Sequence, residues 1–234
     1  MEIQYFKDPV PHFIIDNFLV DRASRAILQE AIDLEPFYNQ AKVNGHSMEA
    51  THIDTCEVCA RNNDKFKNTI RDNQTVSLDK LFEGKRDQSK TLTYLHEALS
   101  NVQLQYAMDN AEKTFPFFNI VNSSETLISR YGKCDFYGWH TDPIPEAAEA
   151  RLVTVSYYVN KEPLNFEGGR LMFLNHKTGE IKYVEPKHNR AVIFMSFQAY
   201  HGVEYVNLDG KSWDEGRFSI QFWLGFNNRF RFRK

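Results

Sequence analysis

Four residues of this chain are of types that, at their spacing, do metal and anion chemistry: His140, Asp142, His201 and Arg217. The first two stand one residue apart at the end of YGKCDFYGWHTD, Tyr131 to Asp142. His201 follows 61 residues later in FQAYHGVEYV, and Arg217 another 16 residues on. Two imidazoles and one carboxylate on one side of a ferrous ion leave the opposite positions open, which suits non-haem iron oxygenases. The HxD pair alone decides nothing, because such pairs arise by chance in a chain of this size. A second copy, His52 and Asp54 in THIDTCEVC, is followed by no matching His and Arg.

These residues have to be held by a scaffold, and the sequence changes texture along its length. Val20 to Leu34 places Ala23, Ala26, Ile27, Ala31 and Leu34 at helical intervals, with Asp21 as the expected N-cap. Glu35 to Arg86 is polar and loosely patterned, and reads as long loops with short regular pieces. Ser89 to Thr114 reads as one longer helix, with Leu92, Leu95, His96, Leu99, Val102 and Tyr106 on one face. His96 is expected at a core or boundary position. After Pro116 the period becomes two. RLVTVSYYVN, Arg151 to Asn160, alternates Leu152, Thr154, Ser156 and Tyr158 against Val153, Val155, Tyr157 and Val159. The strands GRLMFLN, IKYVEP and AVIFMSF follow, separated by turn residues, and point to a β-sandwich or barrel. The last strand, RFSIQFWLGF, puts Arg217, Ser219, Gln221 and Trp223 on one face, and Phe218, Ile220, Phe222, Leu224 and Phe226 on the other. Facing water, Arg217 is an ordinary solvated side chain. Lining a barrel mouth, it needs an anion, because an unpaired buried charge is very costly.

Composition narrows the class further. With 234 residues and 42% apolar content the chain can bury a full core, and a single domain over 1–234 is expected. A net charge of −3 gives no field of the kind that neutralises nucleic-acid phosphates. No apolar run approaches membrane-spanning length, and the charged N-terminus does not read as a signal peptide. Three cysteines, an odd number, fit free thiols in a reducing compartment, so a soluble cytoplasmic protein is expected. Cys56 and Cys59 are spaced like half a zinc site, with no second pair to complete it.

Taken in order, YGKCDFYGWHTD, EGGRLMF, VIFMSFQAYHGVEYV and EGRFSIQFWL resemble the catalytic core of the iron(II)- and 2-oxoglutarate-dependent dioxygenases of the prolyl 4-hydroxylase type. The opening PHFIIDNFL is similar to the first strand of that family. The resemblance covers roughly Pro116 to Phe226 and the first thirty-odd residues, and is absent between Glu35 and Arg86. It implies an α+β, mainly β fold: a double-stranded β-helix (jelly-roll) core over 116–226, with helical support and lid-like loops over 1–115. It implies His140, Asp142 and His201 as iron ligands. Arg217 would bind the distal carboxylate of 2-oxoglutarate, assisted by Ser219 and Tyr131. The implied cofactors are Fe(II), 2-oxoglutarate and dioxygen, with ascorbate as an accompanying reductant. The implied reaction is hydroxylation of an unactivated C–H, coupled to decarboxylation of 2-oxoglutarate to succinate. Animal collagen prolyl hydroxylases use Lys where this chain has Arg217.

Tyr137 and Trp139 flank the ligands and are expected either as a substrate wall or as barrel packing. Gly168 and Gly169 read as a turn with positive φ. Arg61, Arg71 and Asn73 are the substrate-recognition candidates of the polar segment, which would fold over the iron for a small substrate and flank an open channel for a peptide. The expected substrate is an amino-acid side chain such as proline in a peptide or protein. A free amino acid or small metabolite is the alternative, and a non-enzymatic ligand-binding barrel a third. Nucleic acid and membrane are not expected partners, and the sequence does not give the oligomeric state.

Overall fold

The computed structural model describes residues 1–41, 71–111, 121–142, 149–208 and 212–227. His52, Asp54, Cys56, Cys59, Arg61 and most of the expected lid segment lie outside the described residues. Two antiparallel sheets form the body. The larger is built from β1 (Glu2–Phe6), β2 (His12–Asp16), β3 (Asn39–Gln40), β5 (Gln74–Ser77), β6 (Ser123–Tyr131), β8 (Glu149–Val159), β12 (Arg190–Met195) and β15 (Arg217–Asn227). Its strand order is β1-β2-β12-β8-β15-β6-β5-β3. The smaller sheet has the order β11-β10-β13-β7-β4, with β4 (Arg71–Asp72), β7 (Phe136–His140), β10 (Leu171–Leu174), β11 (Ile181–Val184) and β13 (His201–Val203). β9 (Phe166–Gly168) and β14 (Val206–Leu208) make a separate ribbon. Two facing antiparallel sheets with long crossings between them form the expected jelly-roll core.

β15 lies at the centre of the larger sheet, between β8 and β6. The period-two pattern predicted for it is the key to the architecture. Phe218, Ile220, Phe222 and Leu224 join Val153, Val155, Tyr157, Ile193 and Ile128 in one apolar cluster, together with Ile27 and Ala31 of α1 (Asp21–Asp33) and Leu92, Leu95 and Leu99 of α3 (Lys90–Leu99). The helices therefore cover one face of the sheet. Arg217, Ser219, Gln221 and Trp223 lie on the other face, toward the smaller sheet.

α1 and α3 are held end to side by Glu30, whose carboxylate accepts from the backbone N–H groups of Lys90 and Thr91 at 3.0 and 2.7 Å. A carboxylate at a helix N-terminus satisfies orphan donors and complements the helix dipole. Ser89 caps the same helix by accepting from Leu92 N–H at 3.2 Å. The N-cap of α1 is Val20, and Asp21 lies in the first turn, where it pairs with Arg25.

The single helix expected from Ser89 is two helices, α3 and α4 (Val102–Asp109), in addition to the short α2 (Leu78–Leu81). Asn101 causes the break: its side chain accepts from Gln103 and Leu104 N–H and restarts the helix as a new N-cap. The restart resets the helical phase. Leu104 and Met108 are buried instead, while Val102 and Tyr106 are exposed, and His96 is exposed too. Cys134 is disulfide-bonded, which corrects the expectation of three free thiols. An odd cysteine count is compatible with one bridge. No helix among the described residues is long and apolar enough to cross a membrane.

His12 on β2 is fully buried, with the rings of Phe6 and of Phe173 from the smaller sheet at 5.1 and 4.9 Å. Its Nδ1–H donates to Val10 O at 2.7 Å, whereas Nε2 has no partner among the described residues. Burial pushes its pKa down from 6.5 to about 4, so the folded protein holds it neutral. Stability from this group is complete above pH 6.5 and is lost as pH falls toward about 4, where the unfolded chain binds a proton that the native state refuses. We expect urea unfolding to show about 3 kcal/mol less acid-side loss of stability in His12→Phe than in the wild type. Equal slopes in the two proteins would remove His12 from this role.

Candidate metal centre and anion pocket

His140 closes β7 and His201 opens β13, and the two are direct cross-strand partners in the smaller sheet. Each ring is oriented by its own strand. The Nδ1–H of His140 donates to Gly138 O at 2.8 Å, and that of His201 to Ala199 O at 2.8 Å. A carbonyl only accepts, so Nδ1 carries the proton and each Nε2 presents a lone pair. The rings lie 4.3 Å apart, and His201 Nε2 is 4.0 Å from Asp142 Oδ2. One donor atom from each of His140, Asp142 and His201 falls within 4.8 Å of the others.

Asp142 follows β7 and bridges the sheets. Its N–H donates to Ser196 O at 3.2 Å, and Oδ2 accepts from Thr154 Oγ1 of β8 at 2.5 Å, with Ser196 Oγ 2.8 Å from Thr154 Oγ1. Burial raises its carboxyl pKa, but His201, His140, Thr154 and Trp223 together outweigh burial and hold it below the usual carboxylate range. Burial and the neighbouring His201 lower the His140 pKa from 6.5 to about 3. Two imidazoles beside an ionised carboxylate form the donor set that divalent iron accepts while keeping positions open.

The anion pocket lies on the inner face of the larger sheet. Arg217 is fully buried at 0% exposure. Its Nε donates to Gly169 O at 2.6 Å and Nη1 to Ser219 Oγ at 3.0 Å, both neutral acceptors. The rings of Tyr131 and Tyr158 flank the guanidinium at 4.7 and 5.1 Å. Among the described residues no carboxylate pairs with it, and burial lowers its pKa. Tyr158 is buried too, and its hydroxyl has no hydrogen-bond partner among the described residues. An un-neutralised guanidinium beside an orphaned hydroxyl fits an incoming carboxylate, which satisfies both.

The structure thus brings together His140, Asp142 and His201, and beside them Arg217, Ser219 and Tyr131. Tyr137 joins them by stacking on His140 at 3.7 Å between centroids. Trp139 does not: its ring stacks on Tyr200 at 5.8 Å and packs with the cluster of Phe136, Met172 and Tyr205. Thr154, Ser196 and Tyr158 were absent from the sequence-derived site. Thr154 and Tyr158 share a face in the β8 alternation, but only the β8–β15 register, Ser219 opposite Tyr158 and Trp223 opposite Thr154, shows that this face is the inner one.

Residues 126–225 match the family model described as the 2OG-Fe(II) oxygenase superfamily. The chain carries a 2OG-Fe(II) oxygenase domain. It is accordingly a 2-oxoglutarate-dependent dioxygenase, with Fe(II), 2-oxoglutarate and dioxygen as its cofactor and cosubstrates. In fold the oxygenase is similar to a prolyl-4-hydroxylase from Pseudomonas putida, with 21% identity and a TM-score of 0.60 over 91% of each chain. It is similar as well to a prolyl hydroxylase from Trichoplax adhaerens, solved with a hypoxia inducible factor oxygen degradation domain peptide fragment, at 19% identity and a TM-score of 0.61, covering 93% of this chain and 84% of that one. A prolyl 4-hydroxylase from Phytophthora capsici gives 20% identity and a TM-score of 0.52, covering 93% of this chain and 59% of that one. No curated protein sequence matches the oxygenase.

Gly168 and Gly169 have φ of +71° and +64°, as their turn requires. Gly169 does more than turn: a Cβ there would sit 2.8 Å from Arg217 Cδ and 2.9 Å from Val206 Cγ2. Gly84, with φ of +71°, has open space around it. Gly84→Ala is expected to cost about 1–2 kcal/mol from left-handed backbone strain alone. Gly169→Ala adds overpacking of roughly 1–3 kcal/mol against the arginine. Thermal unfolding of the two variants side by side checks the difference, and equal losses would mean that Gly169 serves the turn only.

Proposed function

We propose that His140, Asp142 and His201 hold Fe(II), that Arg217, Ser219, Tyr131 and Tyr158 hold the distal carboxylate of 2-oxoglutarate, and that the enzyme hydroxylates an amino-acid side chain such as proline in a peptide or protein. The observation that carries this reading is Arg217: a fully buried cation with no anion among the described residues, on the sheet face from which Thr154 reaches Asp142. Iron held there would supply the activation of dioxygen. The chain's own residues do the rest by placement. The Gly138 and Ala199 carbonyls fix both imidazole tautomers, Thr154 and Ser196 anchor the carboxylate, and Tyr137 shields one face of His140. Likeness to the peptide-bound Trichoplax fold supports the substrate class.

The whole of 1–234 is proposed as one catalytic unit, with 1–115 as support and 116–226 as the core. β1 and β2 extend the sheet that carries Arg217, and α1 and α3 pack on its outer face, in keeping with that organisation.

Anaerobic addition of ferrous iron and then 2-oxoglutarate is expected to give the visible charge-transfer band of a chelated 2-oxo acid, requiring both additions. Asp142→Ala and His201→Ala should lose both the band and 2-oxoglutarate turnover. Arg217→Ala should keep the metal but bind 2-oxoglutarate on the order of tenfold to hundredfold more weakly, the worth of a charge-assisted hydrogen bond. His52→Ala should behave as wild type. Loss of iron in His52→Ala, or turnover surviving in His201→Ala, would reject the ligand assignment.

A further inference from the structure

A second guanidinium faces the same interior, and the proposed reaction leaves it unused. Arg71 lies in β4, directly opposite Tyr137 of β7. Its guanidinium carbon sits 4.5 Å from the centre of the Tyr137 ring, the same ring that stacks on His140 at 3.7 Å. Nε donates to Asn73 Oδ1 at 2.6 Å and Nη2 to Ser129 Oγ at 3.3 Å. Both acceptors are neutral, so they aim the group without discharging it. Among the described residues, no carboxylate pairs with Arg71 and Nη1 has no acceptor.

Its placement parallels that of Arg217. Ser129 and Ser219 are cross-strand partners on β6 and β15, and Ser219 accepts from Arg217 as Ser129 accepts from Arg71. The two cations therefore approach one patch of the inner face from opposite sheets. Arg217 is sealed, whereas Arg71 is only partly buried and open to a ligand. The cosubstrate cannot satisfy both. In the reading above, 2-oxoglutarate commits one carboxylate to Arg217 and its 2-oxo acid end to the His140–Asp142–His201 centre, which leaves no charge for Arg71. A planar fork with a free N–H, held on an aromatic face, is shaped for a further carboxylate.

We propose that Arg71 binds a carboxylate of the substrate undergoing hydroxylation, so that the substrate is an amino acid or peptide carrying a carboxylate close to the target carbon. This rests on the reading given under Proposed function. The carboxylate has two sources, the free α-carboxylate of an amino acid or an acidic side chain beside the target residue in a peptide. The contacts Arg71–Tyr137 and Tyr137–His140 place that anion one ring away from a proposed metal ligand.

The test uses the full chain with Fe(II) and 2-oxoglutarate, and reads succinate formation. The common L-amino acids, proline first, are compared with their primary amides. Blocked Ala-Pro-Asp is compared with blocked Ala-Pro-Asn. Anaerobic titration measures 2-oxoglutarate affinity separately. For the source in use, the acid is expected to exceed its neutral partner in kcat/KM on the order of tenfold to hundredfold in the wild type. The ratio should fall close to one in Arg71→Gln and to an intermediate value in Arg71→Lys, through KM more than kcat and with 2-oxoglutarate affinity unchanged. A purely structural role for Arg71 would lower both rates and leave the ratio alone. Equal use of acid and amide by the wild type overturns the proposal. So does an unchanged ratio in Arg71→Gln, a loss of 2-oxoglutarate affinity in that variant without a change in ratio, or no stimulation by any probe while 2-oxoglutarate binds. Failure of the wild type to bind 2-oxoglutarate at all would instead reject the underlying reading, and this one with it.

Discussion

Arg217 is a permanent cation removed from water, and the interior between the two sheets is arranged around that fact. Its partners among the described residues are a carbonyl, a hydroxyl and two aromatic faces, none of which carries a charge. A fold that only had to be stable would place an apolar side chain here, because an unpaired buried charge costs several kcal/mol. The cost is tolerable when a dicarboxylate supplies the missing charge, and the same missing charge makes the pocket selective for one. Gly169 makes room for the arginine stem, and the Tyr158 hydroxyl waits without a partner, so several residues share a single electrostatic deficit.

β15 turns that deficit into an architecture. One strand cannot be both a core strand and a site strand on the same face, and its period of two separates the tasks. Phe218, Ile220, Phe222 and Leu224 go to the helices, while Arg217, Ser219, Gln221 and Trp223 go to the space between the sheets. The neighbouring strands follow because register copies the alternation sideways: Tyr131 and Ser129 on β6 and Tyr158, Ser156 and Thr154 on β8 fall on the inner face as partners of β15 residues. Asp142 then ties this polar face to the smaller sheet through Thr154.

The elements that were legible in the sequence are those where one local signal dominates. The β8 and β15 alternations, the α1 stripe and the ordered His140, Asp142, His201 and Arg217 each carry their own period or spacing. What stayed hidden depended on pairing. Tyr158 and Thr154 were on the correct face of their own strand, but nothing local says which face of a two-faced sheet meets the ligand. Trp139 adjoins His140 in the chain and still packs elsewhere, because its ring lies against Tyr200 and not against the imidazoles. The single long helix failed on one residue, Asn101, whose capping side chain outcompetes continuation and rotates every later position. Cys134 shows the limit of counting, since a total of three does not say which two are joined.

A polar inner face has a consequence for the rest of the chain. In an ordinary sandwich the two inner faces make the core, but here much of that interface is given over to charged and hydroxyl groups. The larger apolar cluster lies on the outside of the larger sheet, where Ile27, Ala31, Leu92, Leu95, Leu99 and Leu104 meet the strands, and a smaller one of Leu171, Phe173, Val192 and Phe194 remains between the sheets. The N-terminal helices are thus the second half of the hydrophobic core, displaced from the interior by the site. Glu30, joining α1 to the N-terminus of α3, keeps that layer in one piece. Loosening the helical layer would be felt at β15, whose apolar residues alternate one by one with the residues that line the pocket. In this fold Arg217 depends on both faces of its sheet, on Gly169, Ser219, Tyr131 and Tyr158 beside it and on the helical layer behind it.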